Sequence, residues 1–287
     1  MSVKQRGSAW SIKLVYNLYR LFGYKFIYYL MYPVSYFYYL KAKNVKEALK
    51  IYYAQIGKEF NKKVHHDHLR HFAICMCDRF ISLIDPKDYK YKIEGRENLE
   101  NDLKKGGILL LSHYGGWASA ANCFGYLNLK MNIVMQEVLM QGIKDIEESI
   151  KSEKTSHISV IDTGKGGIAV TLEIAKALSE NELVAMMADR ATSTKNSKKI
   201  EFFGKEGFFN KNPFEIAYKT DKPLIGLFIR YLSPQFYKID YIKMNMNKEN
   251  KMSDEVQRCM KVYADRFATN IEQYPQGWFN FYNFWEK

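Results

Sequence analysis

Apolar residues in "KNVKEALKIYYAQIGKEF" recur at Val45, Leu49, Tyr52 and Tyr53, near one face of a helix. "HLRHFAICMCDRFISLI" repeats that spacing and stops before Pro86. The rhythm then changes. Tyr91 and Ile93 alternate as in a short strand, and "GRENLENDLKKG" predicts a short helix closed by Gly106. "GILLLSH" is apolar without interruption, the pattern of a strand buried on both faces, and it stops at His113. "NIVMQ", "ISVIDT", "LVAMMAD" and "PLIGLFIRY" read as further strands. A helix from about Gly167 to Ser179, a polar loop and another helix lie among them. Strands alternating with helices predict an α/β fold, with a mixed, partly parallel central sheet flanked by helices. "MSDEVQRCMKVYADRFATNIEQYP" predicts a C-terminal helix capped by Ser253. "WFNFYNFW" fits either an aromatic membrane belt or the last strand of the core.

The N-terminus departs from this pattern. In "WSIKLVYNLYRLFGYKFIYYLMYPVSYFYYL" the uncharged part, Phe26 to Leu40, is 15 residues. As a helix it covers about 22 Å, short of a hydrocarbon core of roughly 30 Å. Pro33 is expected to interrupt it, and Lys13, Arg20 and Lys25 sit among the aromatics. No small-residue cleavage site follows. The expectation is an aromatic, basic, membrane-associated helical segment over residues 1–44, ahead of one domain over residues 45–287. A helical hairpin packed on that domain is the alternative.

Charge and cysteine usage narrow the partners. Forty-three basic against thirty-one acidic residues give +12, which suits nucleic acid, anionic lipid or an acidic carrier protein. No recognisable DNA or RNA module is present, and 22 Tyr with 18 Phe favour a membrane surface. Cys75, Cys77, Cys123 and Cys259 lack paired CxxC spacing and read as reduced thiols.

Reacting groups in open α/β sheets gather at the carboxyl ends of strands. His113 ends one strand, Asp189 ends another, and Arg190 follows. Gly115 and Gly116 let backbone approach a ligand, with N–H groups expected to be free for a developing negative charge. Together these suit a histidine general base acting on a hydroxyl that attacks an acyl group.

The chain resembles the late lipid A biosynthesis acyltransferases, a branch of the lysophospholipid acyltransferase superfamily. The likeness runs through "RGSAW…LYRLFG…YPVSYFYYL", "KIEGRENLENDLKKGGILLLSH", "GKGGIAV", "MMADR", "KIEFFGKEGFFNKNPFEIAYKTDKPLIGLFIR" and "YPQGWFNFYNFW". It implies acyl transfer from acyl carrier protein or acyl-coenzyme A to a hydroxyl of lipid A or a related membrane lipid. The place implied is the cytoplasmic face of a bacterial inner membrane, and no cofactor is implied. The family signature is a histidine, four residues, then an acid that orients the imidazole. His113 matches, but the acid's position holds Ala118. Either Asp189 or Glu137 supplies the acid, or the protein is a non-catalytic lipid- or carrier-binding relative, or position 118 carries a substitution. "IVMQE" also lacks the arginine that the family often has near Gln136.

Gly115, Gly116, Trp117, Ala118, Arg190, Phe203 and Gly204 are the expected oxyanion and substrate residues. Lys195, Lys198 and Lys199, near Lys205, either dock an acidic carrier or form a solvated face. "FFGKEGFF" lines an acyl groove or fills core. Gly164 to Gly167 cradle a phosphate or make a plain turn. His65, His66, Asp67, His68 and His71 read as a solvated basic helix start, not a metal site.

Overall fold

In the computed structural model the described residues are 9–119, 123–124, 127, 129–135, 158–191 and 193–286. Three helices come first: α1 (Ala9–Lys41), α2 (Lys43–Gln55) and α3 (Lys62–Ile84). Then follow β1 (Lys90–Ile93), α4 (Arg96–Leu103), β2 (Gly107–Leu111), β3 (Met131–Met135) and β4 (Ile158–Asp162). The second half holds α5 (Gly167–Ser179), β5 (Leu183–Met187), β6 (Ser197–Phe202), β7 (Lys205–Asn210), α6 (Asn212–Thr220), β8 (Leu224–Ser233), β9 (Phe236–Met244) and α7 (Met252–Gln273). Seven strands form one sheet in the order β1-β9-β8-β2-β5-β3-β4. From β8 to β4 every neighbour is parallel; β9 runs antiparallel to β8, and β1 pairs parallel with β9. The expected mixed, partly parallel sheet is what the chain forms.

The alternation hidden inside the apolar runs sorts the two faces. Ile108, Leu110, Val184, Met186, Leu224 and Phe228 join a core with α2, α6 and α7. Leu109, Leu183, Ala185, Ile225, Leu227 and Ile229 join a second core with α1 and α3. A strand with a helical layer on each side has no polar face, so its sequence shows no period of two.

Several local expectations are corrected. Helix α3 begins at Lys62, six residues before His68, with Asn61 accepting a hydrogen bond from the Val64 amide at 3.0 Å. His65 and His68 are therefore interior helix positions, almost fully buried, and no solvated patch. Ser253 does not cap α7; Lys251 holds that place and the Ser253 hydroxyl donates to Asp254. The stretch after Asp189, expected as a loop, contains the β6–β7 hairpin. Its two turn residues, Phe203 and Gly204, both have positive φ (54° and 76°), as a tight primed turn requires. Strand β9 was not anticipated.

Helix α1 continues through Pro33. Its break is at Gly23, which takes φ 73° and ψ −179°. One side packs on α3: the Tyr19 hydroxyl donates to Asp85 at 2.5 Å, and the Arg70 guanidinium lies over Tyr28 and Tyr32. The other side leaves Leu21, Phe22, Tyr29, Phe37 and Leu40 exposed. No described helix is long and apolar enough to cross a membrane.

Candidate functional site

Strand register builds the site. β2 and β5 are adjacent and parallel, with Leu111 paired to Met187. Two residues further along each strand, His113 stands opposite Asp189. The ladder extends just past the strands through the Ala188 amide donating to the Leu111 carbonyl at 2.8 Å. His113 Nδ1 lies 3.0 Å from Asp189 Oδ1, and the His113 backbone amide donates to Oδ2 at 3.0 Å. The Trp278 indole N–H also donates to Oδ2, at 3.0 Å.

Asp189 is 3% exposed and the His113 side chain 23% exposed. Burial pushes the Asp189 carboxyl pKa up. The charge and hydrogen bond of His113, the Trp278 indole and nearby Arg190 outweigh that, and the pKa lies below the usual carboxylate range. An ionised carboxylate facing Nδ1 selects the tautomer with the proton on Nδ1. Nε2 then keeps its lone pair, on a side chain that is partly exposed. Trp117 packs edge-on against this ring at 5.4 Å between centroids.

The tail supplies the remaining support. After α7, a 3₁₀ turn over Pro275–Gly277 leads into an irregular segment, neither strand nor belt. Trp278, Phe279 and Phe284 are buried in it. The Phe279 amide donates to the His113 carbonyl at 2.8 Å, and the Tyr114 hydroxyl donates to the Asn270 carbonyl at 2.8 Å. Trp278 was missed as a site residue because its aromatic tail carried no signal separating a carboxylate partner from core packing.

The glycine pair does a different task from the one expected. The Gly115 amide donates to the Gly277 carbonyl at 2.8 Å, and the Gly116 amide to the Ile229 carbonyl at 2.9 Å. Neither is free to hold an oxyanion. Instead the glycines allow close approach: a Cβ on Gly115, at φ 54°, would fall 1.8 Å from the Ile229 carbonyl oxygen. One on Gly116 would meet the Tyr237 ring. The following amides, of Trp117 and Ala118, have no backbone acceptor among the described residues.

Other expected positions are dispersed. Arg190 is exposed and its guanidinium lies 4.8 Å from the Tyr282 ring. Phe203 and Gly204 form the hairpin tip; the Phe203 carbonyl accepts from Gln55, and Phe202 and Phe209 fill core. Lys198 donates to the Ser253 carbonyl, Lys199 pairs with Glu206, and Lys195 is exposed. The Gly164 amide is taken by Asp162, and a Cβ on Gly166 or Gly167, where the chain turns into α5, would meet nothing within 4 Å. Gln136 and Glu137 lie outside the described residues.

The family model for bacterial lipid A biosynthesis acyltransferases matches residues 2–287. The chain belongs to this family. A curated relative named phosphatidylinositol mannoside acyltransferase, from Mycolicibacterium smegmatis (strain ATCC 700084 / mc(2)155), is 24% identical over 182 residues. That match covers 62% of this chain and 56% of the relative, so the chain spans little more than half the relative's length.

Proposed function

We propose that the protein transfers a fatty acyl group from an acyl thioester to a hydroxyl of a membrane glycolipid, with His113 as general base. The carrying observation is the His113–Asp189 contact, in which a buried carboxylate holds Nδ1 while Nε2 stays available. The acceptor hydroxyl gives its proton to Nε2 as its oxygen bonds to the thioester carbonyl carbon. Negative charge moves to the carbonyl oxygen, which the amides of Trp117 and Ala118 can meet. Collapse breaks the carbon–sulfur bond, and the imidazolium returns its proton to the leaving thiolate. Asp189 stabilises the imidazolium throughout, the part an acid plays in a catalytic triad. It is the acid absent from position 118.

The acceptor reading rests on the family and on the mannoside lipid named for the relative. Lipid A itself is one member of this class. The exposed aromatic side of α1 lies on the cytoplasmic leaflet of the inner membrane, which makes residues 1–44 the docking segment of an acyltransferase domain over 45–287. Deleting residues 9–41 is expected to shift the chain out of membrane pellets. Arg190 stands at the site's rim for an anionic group of acceptor or donor. Lys195, the least engaged of its cluster, contributes to docking an acidic acyl carrier.

The test is transfer of labelled acyl chains from acyl carrier protein or acyl-coenzyme A into a membrane lipid extract. The native chain is expected to turn over and His113→Ala to be inactive. If neither the native chain nor Ala118→Glu transfers or hydrolyses a thioester while both bind lipid, the catalytic reading gives way to lipid or carrier binding.

A further inference from the structure

A cleft separate from the His113 site lies between the end of α1, helix α2 and the start of α3. Tyr39, Lys46, Lys50, Phe60, Lys62 and His65 line it, beside Asn61, the α3 cap. His65 is 1% exposed, and both its ring nitrogens are buried without a hydrogen-bond partner. Its ring is held between Tyr39, at 4.8 Å, and Phe60, at 5.6 Å. An unpaired polar ring in such a place costs free energy unless something in the cleft bonds to it.

The charges around the cleft specify what that is. Lys46 and Lys62 have no ion-pair partner among the described residues, whereas Lys50 pairs with Glu47. The nearby Glu59 carboxylate accepts from the Asn61 side chain. Helix α3 opens here, and its first turn adds the positive end of a helix dipole. Two uncompensated ammonium groups, a helix N-terminus and a ring able to donate one hydrogen bond match a compact anion rich in oxygen.

We propose that this cleft seats a phosphate group. Two sources share that chemistry: the headgroup of an anionic phospholipid and a soluble phosphate ester. Tyr39 also stacks on exposed Tyr36 at 5.6 Å, next to exposed Phe37 and Leu40, so the cleft opens beside the face proposed to rest on the membrane. The phosphate site does not depend on the acyl-transfer reading, since none of its residues touches His113 or Asp189.

The full chain is tested by flotation with vesicles of phosphatidylcholine alone and of phosphatidylcholine with phosphatidylglycerol. Titration with glycerol phosphate against chloride of equal ionic strength forms the second arm. Lys46→Ala/Lys62→Ala should reduce the gain from phosphatidylglycerol about 25-fold, at about fivefold per lysine near an anionic surface. It should leave binding to phosphatidylcholine unchanged. His65→Phe keeps the aromatic packing, removes both nitrogens and should weaken the same gain. Lys104→Ala/Lys219→Ala removes equal charge from exposed positions elsewhere and should change it less than about twofold. Loss confined to vesicles assigns the seat to a headgroup. Saturable glycerol phosphate binding that the cleft variants abolish assigns it to a soluble ester. Equal losses in the cleft and control pairs, or no loss in either arm, would overturn the proposal.

Discussion

Helix α3 carries His65, His66, His68 and His71, while the end of β2 carries His113 alone, and only the solitary histidine has a carboxylate on its ring among the described residues. Burial lowers the pKa of His65 to about 4 and of His68 to about 3, and it lowers that of His71 as well. Among the described residues none of their ring nitrogens hydrogen-bonds a carboxylate; His68 Nδ1 meets the neutral hydroxyl of Tyr53. His113 has a carboxylate on one nitrogen, and its side chain is partly exposed where those of His65 and His68 are buried. A histidine becomes a base through what holds its far nitrogen, and neighbouring histidines supply nothing toward that.

Removing the carboxylate is the most direct way to break this contrast. Asp189→Asn keeps the side chain's shape but loses its charge and its preference for a proton on Nδ1. Acyl transfer should fall by about 10⁴, the loss seen when an orienting triad acid is replaced by its amide. His68→Gln, by comparison, should leave the rate per folded molecule within about threefold. If Asp189→Asn keeps near-native kcat, Asp189 is a structural clasp on the β2 turn and another group orients the base.

Trp278 sharpens the same point. Its indole is one of three hydrogen-bond donations to Asp189, and Trp278→Phe removes that one while leaving an aromatic ring in the core. A hydrogen bond to a charged group contributes about 1.5–3 kcal/mol, so kcat should drop roughly tenfold to a hundredfold. Unlike a general loosening of the core, this change should also raise the pKa of Asp189. The acid limb of the pH–rate profile should then move toward neutral pH. An unmoved limb with a normal kcat would make the indole bond incidental.

The α3 histidines should declare themselves in stability. In the unfolded chain an imidazole binds its proton near pH 6.5, whereas folded His65 and His68 do so at about 4 and about 3. Unfolding between those values takes up protons, so stability falls as pH drops. Asp78 works in the opposite direction. Burial raises its pKa to about 6 despite bonds from Tyr237 and Tyr89, and the folded state already holds a proton that an unfolded carboxyl has lost. Asp189, with its lowered pKa, adds to the loss only as pH falls below about 4. At least two protons against one leave a net uptake of about one or more, near 1.4 kcal/mol per pH unit from about pH 6 to about pH 4. Urea denaturation across that range measures the slope, and His68→Gln should flatten it by about one proton. A flat native profile would mean that the helix accepts charged histidines.

The helices and six of the nine described strands, β1 to β5 and β8, were legible because apolar runs and their breaks are local properties. The approach of His113 to Asp189 was not, because it comes from pairing between strands separated by 76 positions. Sequence marked both residues as strand ends and favoured Asp189 as the catalytic partner, but it could not exclude Glu137 as the source of the acid. Gly115 and Gly116 were legible as close-approach positions and misleading as donors: the same lack of a side chain that exposes an amide to ligand exposes it to the Gly277 and Ile229 carbonyls. The β6–β7 hairpin escaped notice because its turn is Phe203–Gly204, and Phe rarely accepts positive φ. Pro33 misled in the other direction, since Gly23, and not the proline, interrupts α1.

The smallest expected effect is the most discriminating. A family member with an acid at position 118 would orient its histidine from the turn; here Asp189 already holds His113 Nδ1 from the adjacent strand. Ala118→Glu adds a carboxylate to a half-buried position on that turn, where the neighbouring amides are proposed to face the oxyanion. A single imidazole nitrogen donates one proton and cannot serve two carboxylates equally, so the new acid has no vacant role. Its negative charge beside the developing oxyanion would oppose the transition state slightly. Acyl transfer by Ala118→Glu should therefore lie between the native rate and a few-fold below it. The double variant Asp189→Asn/Ala118→Glu is the informative partner: if the turn position can still orient the base, it should recover part of the roughly 10⁴-fold loss of Asp189→Asn. A gain of orders of magnitude from Ala118→Glu alone would mean that His113 lacks an effective acid in the native chain and that Asp189 does not fill the place left at position 118.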